Sequence, residues 1–232
     1  MRILLAIACV ALFGVVAVST TSASRGQLAA PTIAPRYTPM PAREAAPPEV
    51  VERLARSDGW LAGMFSPPIE GVDVPDDMNL LPGAPRDYRA GTHEGIDFPV
   101  PFGTPVVAAA SGTVARVDAS FLDWNREQQE IALYEALTLG YTPPSTLDRI
   151  RGRQVWIDHG RGVITRYAHL SAVGALSVGM KIEAGMLIGE VGSSGYPQGG
   201  PHLHFEVRTG DAFYGDGLSG DALVRAVARL FR

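Results

Sequence analysis

The stretch Pro201-His202-Leu203-His204-Phe205-Glu206-Val207 decides the fold and the chemistry that the sequence predicts. Its alternation of polar and apolar residues is typical of a β-strand, in which successive side chains point to opposite faces. His202, His204 and Glu206 therefore share one face, and the apolar residues between them face a core. Two imidazoles held side by side can bind a metal ion, or one can bind the metal while the other transfers a proton. The polar face of an ordinary strand is the plain alternative.

Strand-like runs with glycine, proline and serine between them fill the chain from Gly91 onwards. Several are short and separated by about ten residues, a spacing that predicts a sandwich or a barrel. The expected fold class is mainly β: a compact antiparallel β-sandwich or barrel with a helical insertion and a C-terminal helix. The predicted strands cover residues 95–99, 105–109, 112–118, 154–158, 163–168, 181–182, 187–192 and 203–208.

Residues 119–153 interrupt this β pattern and predict the helical insertion. Asp123 is the expected N-cap of a helix that runs to about Leu139 and ends at Gly140. The apolar residues near helical spacing are Trp124, Ile131, Tyr134 and Leu137. The insertion is either a surface addition packed on the domain or a wall over the site, and the sequence leaves both open.

Residues 215–232 predict the C-terminal helix, which is expected to dock on the domain and close it. Ser219 is the expected N-cap of this helix. Its apolar stripe consists of Leu223, Val224, Val227, Leu230 and Phe231.

The N-terminal residues 1–23 have the features of a signal peptide: a positive start, an apolar run and small residues before the expected cleavage site. The run is shorter than the about 20 residues of a spanning helix, yet it can also remain uncleaved as a membrane anchor. With either outcome the protein is expected to be exported to the periplasm, the cell envelope or the outside of the cell.

Residues 24–65 are rich in alanine and proline, which predicts an extended linker, with a short amphipathic helix over 49–65. Residues 66–90 are expected to form an irregular lead-in, and residues 91–214 the main domain with its insertion.

Charge and cysteine content exclude several functions. The net charge is −4 without a basic run, so nucleic acid is not an expected partner. Cys9 is the only cysteine and lies in the signal segment, so the processed protein has neither disulfides nor a thiol nucleophile. Any catalysis must therefore use histidines, carboxylates, hydroxyls or a metal.

The segment Thr92-His93-Glu94-Gly95-Ile96-Asp97 superficially matches the helical His-Glu-x-x-His zinc motif. It fails that test because Asp97 replaces the second histidine and glycine disfavours a helix, so Glu94 is not assigned the general-base role. His93 and Asp97 instead span a turn into a strand, where one nitrogen and one oxygen ligand can converge.

Three motifs, in this order, resemble the lysostaphin/LytM-type family of zinc peptidases: His93-x-x-x-Asp97, Tyr167-Ala168-His169-Leu170 and His202-Leu203-His204-Phe205. The resemblance covers roughly residues 90–208. The insertion and everything before Gly91 depart from the pattern, which puts the substrate range in doubt rather than the metal site. Further matching segments are Gly95-Ile96-Asp97-Phe98, Ala109-x-x-Gly112-Thr113-Val114, Ile157-Asp158-His159-Gly160, Gly185-x-x-Ile188-Gly189 and Gly192-x-Ser194-Gly195.

The resemblance implies a catalytic Zn²⁺ site. His93, Asp97 and His204 would bind the metal and leave a fourth position open, as catalytic zinc sites do. His169 and His202 would be the catalytic residues that do not bind zinc. The implied mechanism is metal-assisted amide hydrolysis, in which His202, alone or with His169, takes the proton of the attacking water. The sequence does not say which histidine performs which step.

Three neighbouring residues have a less certain role in this scheme. His159 is expected to be structural, held by hydrogen bonds in a glycine-flanked turn, with orientation of a ligand as the alternative. Glu206 either orients a metal ligand or is a solvated carboxylate. Tyr167 is expected to pack in the core rather than touch substrate.

The family resemblance implies the peptide part of peptidoglycan as substrate, with cleavage of peptide cross-links favoured over glycine bridges. The alternative is a catalytically inactive envelope regulator that activates a cell-wall amidase, and a third possibility is a zinc-bearing wall-binding module. Neither the oligomeric state nor the scissile bond follows from the sequence.

Overall fold

The structure, a computed structural model, describes residues 59–232. The predicted signal peptide 1–23 and residues 24–58 of the predicted linker lie outside this part of the chain. Within residues 59–232 no helix is long and apolar enough to cross a membrane.

Twelve strands form three antiparallel sheets in the described part of the chain. The largest has seven strands in the order β12-β11-β7-β6-β5-β9, with β3 also paired to β11; a second has the order β4-β10-β8, and β1 and β2 form a short pair. The strands are β1 (Pro85–Arg86), β2 (Gly91–Thr92), β3 (Ile96–Phe98), β4 (Pro105–Val107), β5 (Gly112–Val117), β6 (Val155–Asp158), β7 (Val163–Ala168), β8 (Leu170–Val173), β9 (Lys181–Ile182), β10 (Leu187–Val191), β11 (Leu203–Thr209) and β12 (Ala212–Phe213).

The mainly-β prediction is confirmed, and the sheets are sandwich-like rather than closed into a barrel. All eight predicted strands form, with ends that shift by two residues or fewer. Apolar side chains of both larger sheets pack into one core. Near its middle the Phe205 ring contacts the rings of Phe98 and Tyr167. The strand β8 and the short strands β1, β2 and β12 were not predicted.

Strand β11 is the strand that positions the site. It pairs with β3 on one side, where His204 lies opposite Asp97, and with β7 on the other, where His204 lies opposite Ala168. His169 follows directly after β7 in the sequence. The register of three strands therefore brings residues together that are more than 100 positions apart in the chain.

The insertion forms two helices, α1 (Arg126–Leu139) and α2 (Pro144–Arg151). The predicted N-cap is wrong: Asn125 caps α1 through a capping box with Gln128, and Asp123 instead accepts a hydrogen bond from the Gly195 N–H at 2.6 Å. Gly140 ends the helix in a left-handed conformation, as predicted.

Two further expectations about helices changed. Ile131 and Tyr134, predicted as apolar helix positions, are exposed, so the insertion does not bury the expected stripe. The short helix predicted over 49–65 is wrong for its described end, which forms a 3-10 turn at Gly59–Leu61 and then an isolated bridge from Phe65 to Phe231.

The C-terminal helix α3 (Gly220–Leu230) is confirmed. Ser219 lies at the N-cap position, although its side chain makes no capping hydrogen bond. Leu223, Val227 and Leu230 are buried in the core, so the helix covers one side of the domain as expected.

Candidate metal centre

Three potential ligand atoms converge at the junction of β3 and β11. Asp97 Oδ1 lies 2.9 Å from His93 Nε2 and 2.9 Å from His204 Nδ1, and the two nitrogens are 3.0 Å apart. His93 and His204 are buried, while Asp97 is 13% exposed towards a cavity. Ligand atoms of a tetrahedral zinc ion form a triangle of similar size, with edges of about 3.3 Å for bonds of about 2.0 Å.

Each of the three side chains is held by a second contact behind the cluster. His93 Nδ1 is 2.9 Å from the Leu81 carbonyl oxygen, and Arg86 Nη2 donates to Asp97 Oδ2 at 3.1 Å. His204 Nε2 lies 3.1 Å from Glu206 Oε1. Such outer contacts fix the orientation and the tautomer of metal-binding histidines.

The hydrogen-bonding chemistry of this cluster fits a cation. A carbonyl oxygen only accepts, so His93 Nδ1 carries the proton and Nε2 presents a lone pair to Asp97. The His93 nitrogen and the Asp97 oxygen are then two acceptors 2.9 Å apart. Only a proton on His204 Nδ1 is available to them, and a divalent cation in its place satisfies all three atoms.

The pKa shifts of the three side chains also favour a cation between them. Burial lowers the pKa of His93 and keeps its ring neutral. Burial opposes charge on Asp97 as well, but the hydrogen bond and the charge of His204 hold the pKa of Asp97 well below its usual range. Burial also acts against charge on His204, yet hydrogen bonds to Asp97 and Glu206 raise its pKa to about 9. Binding of a metal ion at His204 Nδ1 would therefore release one proton.

A second grouping of Glu94, His204 and Glu206 also satisfies the distances of a metal site. Both carboxylates are already paired, Glu94 with Arg89 at 2.7 Å and Glu206 with Arg151 at 2.5 Å. These carboxylates therefore offer less to a cation than Asp97.

His169 and His202 lie beside the cluster with their ring centroids 4.6 Å apart. His169 Nδ1 is 2.9 Å from the Ser194 carbonyl oxygen, and His202 Nδ1 is 2.9 Å from the Gly200 carbonyl oxygen. Each Nδ1 therefore carries a proton, and in the neutral form of each ring the lone pair is on Nε2. His202 Nε2 is 3.8 Å from Asp97 Oδ1, and burial holds the pKa of His169 well below its usual range. The lowered pKa keeps the His169 ring neutral, so its Nε2 is unprotonated but is a weaker base than that of an ordinary imidazole.

The backbone of His169 is held in an unusual conformation. Its φ is 60°, in the left-handed region that few residues other than glycine adopt. The His169 N–H donates to the Arg151 carbonyl oxygen at 2.8 Å, which ties this bend to the end of the insertion. Such strain often accompanies functional positions.

The other residues that the sequence analysis singled out lie outside the triangle of ligand atoms, and Glu206 touches it only through His204 Nε2. His159 contacts the Ser111 carbonyl oxygen and Thr165 Oγ1, both at 2.8 Å, as a structural histidine does. Tyr167 is fully buried, and its hydroxyl accepts the Ala109 N–H at 2.8 Å. Glu206 is also fully buried, which excludes the solvated reading.

The cavity at the site is about 250 Å³ in volume, and segments outside the matching motifs form part of its walls. The lead-in contributes Arg86 and Tyr88, and the insertion contributes Leu147 and Ile150. Tyr88 stacks on Tyr196 with ring centroids 4.7 Å apart. Sequence reasoning missed these lead-in residues, since nothing in an irregular segment shows which distant strand it will cover.

The insertion also forms hydrogen bonds to the loop that precedes β11. Asp123 and Trp124 bind both backbone polar groups of Gly195. The Asp123 carboxylate accepts the Gly195 N–H, and the Trp124 indole donates to the Gly195 carbonyl oxygen at 2.9 Å. Gln129 and Gln198 exchange two amide hydrogen bonds. The insertion therefore forms part of the cavity wall, as the second of its two sequence readings predicted. It also supports the loop that carries Tyr196, which the sequence analysis did not predict.

Residues 91–215 match the model of peptidase family M23. The chain belongs to this family. The matched segment contains all five histidines and the two larger sheets, and it begins just after the lead-in.

Several characterised M23 proteins are similar to this chain. The DD-carboxypeptidase/endopeptidase Mpg of Neisseria meningitidis is 35% identical over 116 residues, which are 50% of this chain and 20% of that protein. The peptidoglycan DD-endopeptidase ShyA of Vibrio cholerae is 31% identical over 123 residues, 53% of this chain and 22% of that protein. The chain thus matches about a fifth of the length of these relatives.

Among solved structures, a mutant catalytic domain of the prophage-encoded M23 protein EnpA from Enterococcus faecalis is 27% identical, with a TM-score of 0.40. The alignment covers 67% of this chain and 94% of that domain. The lysostaphin catalytic domain from Staphylococcus simulans is 24% identical with a TM-score of 0.37, and 66% of this chain and 86% of that domain are covered.

Proposed function

We propose that this M23 protein is a zinc-dependent endopeptidase that hydrolyses peptide cross-links of bacterial peptidoglycan. The observation that carries the proposal is the triangle of His93, Asp97 and His204 ligand atoms with His169 and His202 beside it. Membership of a peptidase family and similarity to proteins named DD-endopeptidase support the reaction class.

His93, Asp97 and His204 would hold the zinc ion, since their three atoms already face one point and are oriented from behind. A bound zinc ion would activate water as a nucleophile at neutral pH and polarise the scissile carbonyl. Three protein ligands leave a position open for this chemistry.

His202 is proposed as the general base, because its Nε2 lies 3.8 Å from Asp97 Oδ1 and therefore next to the proposed metal position. His169, whose ring centroid lies 4.6 Å from that of His202, also has its Nδ1 bonded to a carbonyl oxygen and could accept a proton at Nε2. With Nδ1 bonded to a carbonyl, neither ring can donate from Nε2 until it has taken up a proton. We therefore propose that a histidine first accepts a proton from the attacking water and then gives it to the departing amine.

The peptide part of peptidoglycan is the proposed substrate. The N-terminal sequence predicts export to the envelope, where this polymer lies, and the relatives Mpg and ShyA are named for DD-peptide bonds. The cavity is bordered by half-buried aromatic and apolar groups, among them Tyr88, Leu147 and Tyr196, which suits contact with a peptide.

An inactive regulator of an amidase is the alternative that the complete cluster disfavours. A regulator of this kind has no need for a ligand set with two further histidines beside it, yet all five residues are present and adjacent here.

Purified protein, stripped with a chelator and then reloaded with zinc, tests the proposal on isolated sacculi. One zinc per chain and release of soluble fragments only after reloading are the expected results, with Asp97→Ala inactive throughout. Stoichiometric zinc without release of any fragment would contradict the enzymatic role, and absence of zinc binding would contradict the metal site.

A further inference from the structure

We infer that Arg151, the last residue of the insertion helix α2, is a positioning residue that holds His204 in its metal-binding orientation through Glu206. The inference rests on the zinc site proposed above and adds a residue outside the three motifs. It also gives the insertion a role in building the metal centre.

The contact runs through a single carboxylate oxygen. Arg151 Nε donates to Glu206 Oε1 at 2.5 Å, and the same oxygen lies 3.1 Å from His204 Nε2. The Arg151 side chain is 6% exposed and that of Glu206 is fully buried, so solvent does not replace either partner. The three groups form one buried chain from α2 to the His204 ring, on the nitrogen that does not face Asp97.

Two other arginines neutralise Glu206 but contact its other oxygen. Arg166 and Arg208 lie 3.4 Å and 3.5 Å from Oε2. Without Arg151, the Glu206 carboxylate would still be charged and would be attracted towards Arg166 and Arg208, which lie near Oε2. Its Oε1 would then move away from His204. Only Arg151 therefore combines charge neutralisation with alignment of the oxygen that fixes the His204 tautomer.

The backbone of the same residue is anchored independently. The Arg151 carbonyl oxygen accepts the His169 N–H at 2.8 Å. Gly152 follows with a φ of 66°, and a Cβ there would come within 2.3 Å of the Ser194 carbonyl oxygen, so only glycine allows this close approach. These contacts fix the point from which the Arg151 side chain reaches Glu206.

Zinc affinity, measured by competition with a chromogenic chelator, tests the inference without relying on turnover. Arg151→Met and Glu206→Gln should each weaken zinc binding by about 10- to 100-fold, as loss of an orienting contact does. The double variant should bind no more weakly than Glu206→Gln, because both changes interrupt one chain of contacts. Arg208→Met is the matched control, since it removes a charge from the other oxygen and should change affinity less than about threefold.

The Co²⁺-loaded proteins provide a second readout, since the visible spectrum of cobalt reports ligand geometry. Arg151→Met should alter the spectrum and Arg208→Met should leave it unchanged. If Arg151→Met alone fails to fold, the double variant removes both buried charges together and allows the same comparison with wild type.

Wild-type zinc affinity in both Arg151→Met and the double variant would overturn the inference, as would losses that multiply in the double variant. The proposed function fails differently, because wild-type protein would then bind no zinc, or His204→Ala would bind it normally.

Discussion

Asp97 and His204 lie directly opposite each other on the antiparallel strands β3 and β11, with Asp97 Oδ1 2.9 Å from His204 Nδ1. Residues opposite each other in such a pair have Cβ atoms about 4.5–5.5 Å apart, a separation at which two short side chains can share one ion. His93 approaches from the turn before β3 and completes the triangle. The register of one strand pair is therefore the structural basis of the proposed metal centre.

Removal of a proposed ligand should abolish zinc binding. Asp97→Ala and His204→Ala each take away one of three ligand atoms, so we expect less than 0.1 zinc per chain after dialysis, by an order-of-magnitude estimate from the two ligands left. Metal analysis of the purified variants by mass spectrometry measures this directly.

His159→Gln is the matched control, since His159 is also a histidine of the β domain but contacts Ser111 and Thr165 instead of the cluster. It should retain full zinc content. Zinc loss in this variant, or retention in Asp97→Ala, would show that the ligands are assigned incorrectly.

The two remaining histidines should separate metal binding from turnover. His202→Ala and His169→Ala leave all three ligand atoms in place, and we expect normal zinc content with rates lower by about 10²- to 10⁴-fold, the contribution of general acid–base catalysis. Initial rates on a cross-linked peptide, together with metal analysis, check both parts. Full activity in His202→Ala would refute its assignment as the base.

The insertion should influence substrate binding more than chemistry. Leu147 lines the cavity from α2, so Leu147→Ala should raise KM several-fold and leave kcat within about twofold, as loss of ground-state contacts does. Ile131→Ala changes an exposed residue of α1 and serves as control. Equal kinetic constants for both variants and wild type would make the insertion a surface addition.

Tyr167 should matter for stability rather than for catalysis. Tyr167→Phe removes the hydroxyl that accepts the buried Ala109 N–H, and the unsatisfied amide should cost about 1–3 kcal/mol of unfolding free energy. Urea denaturation of this variant and of Tyr134→Phe, whose ring is exposed, makes the comparison. Changes of equal size in the two variants would contradict the structural role.

Much of the domain was predictable because its signals are local. Alternation of polar and apolar residues located β11, and glycine and proline between short runs located the other main strands. The grouping of the histidines with Asp97 followed from motif resemblance, and the strand register supplies its physical reason.

What sequence reasoning missed depends on distant partners. Asp123 and Asn125 are both of a residue type that favours the N-cap. The Asp123 carboxylate binds the Gly195 N–H instead, so Asn125 caps the helix. The burial of Glu206 was likewise undecidable, since its partner Arg151 lies 55 residues away in the insertion. No local pattern encodes either contact.

The most direct measurement of the central claim is mass spectrometry of the products formed from a defined cross-linked muropeptide dimer by the zinc-loaded protein. The account predicts two monomeric peptides whose masses sum to the mass of the dimer plus one water molecule. It also predicts a rate lower by about 10²- to 10⁴-fold with His202→Ala and no products without zinc. An intact dimer in the presence of a fully zinc-loaded wild-type protein, or cleavage outside the peptide part, would contradict it.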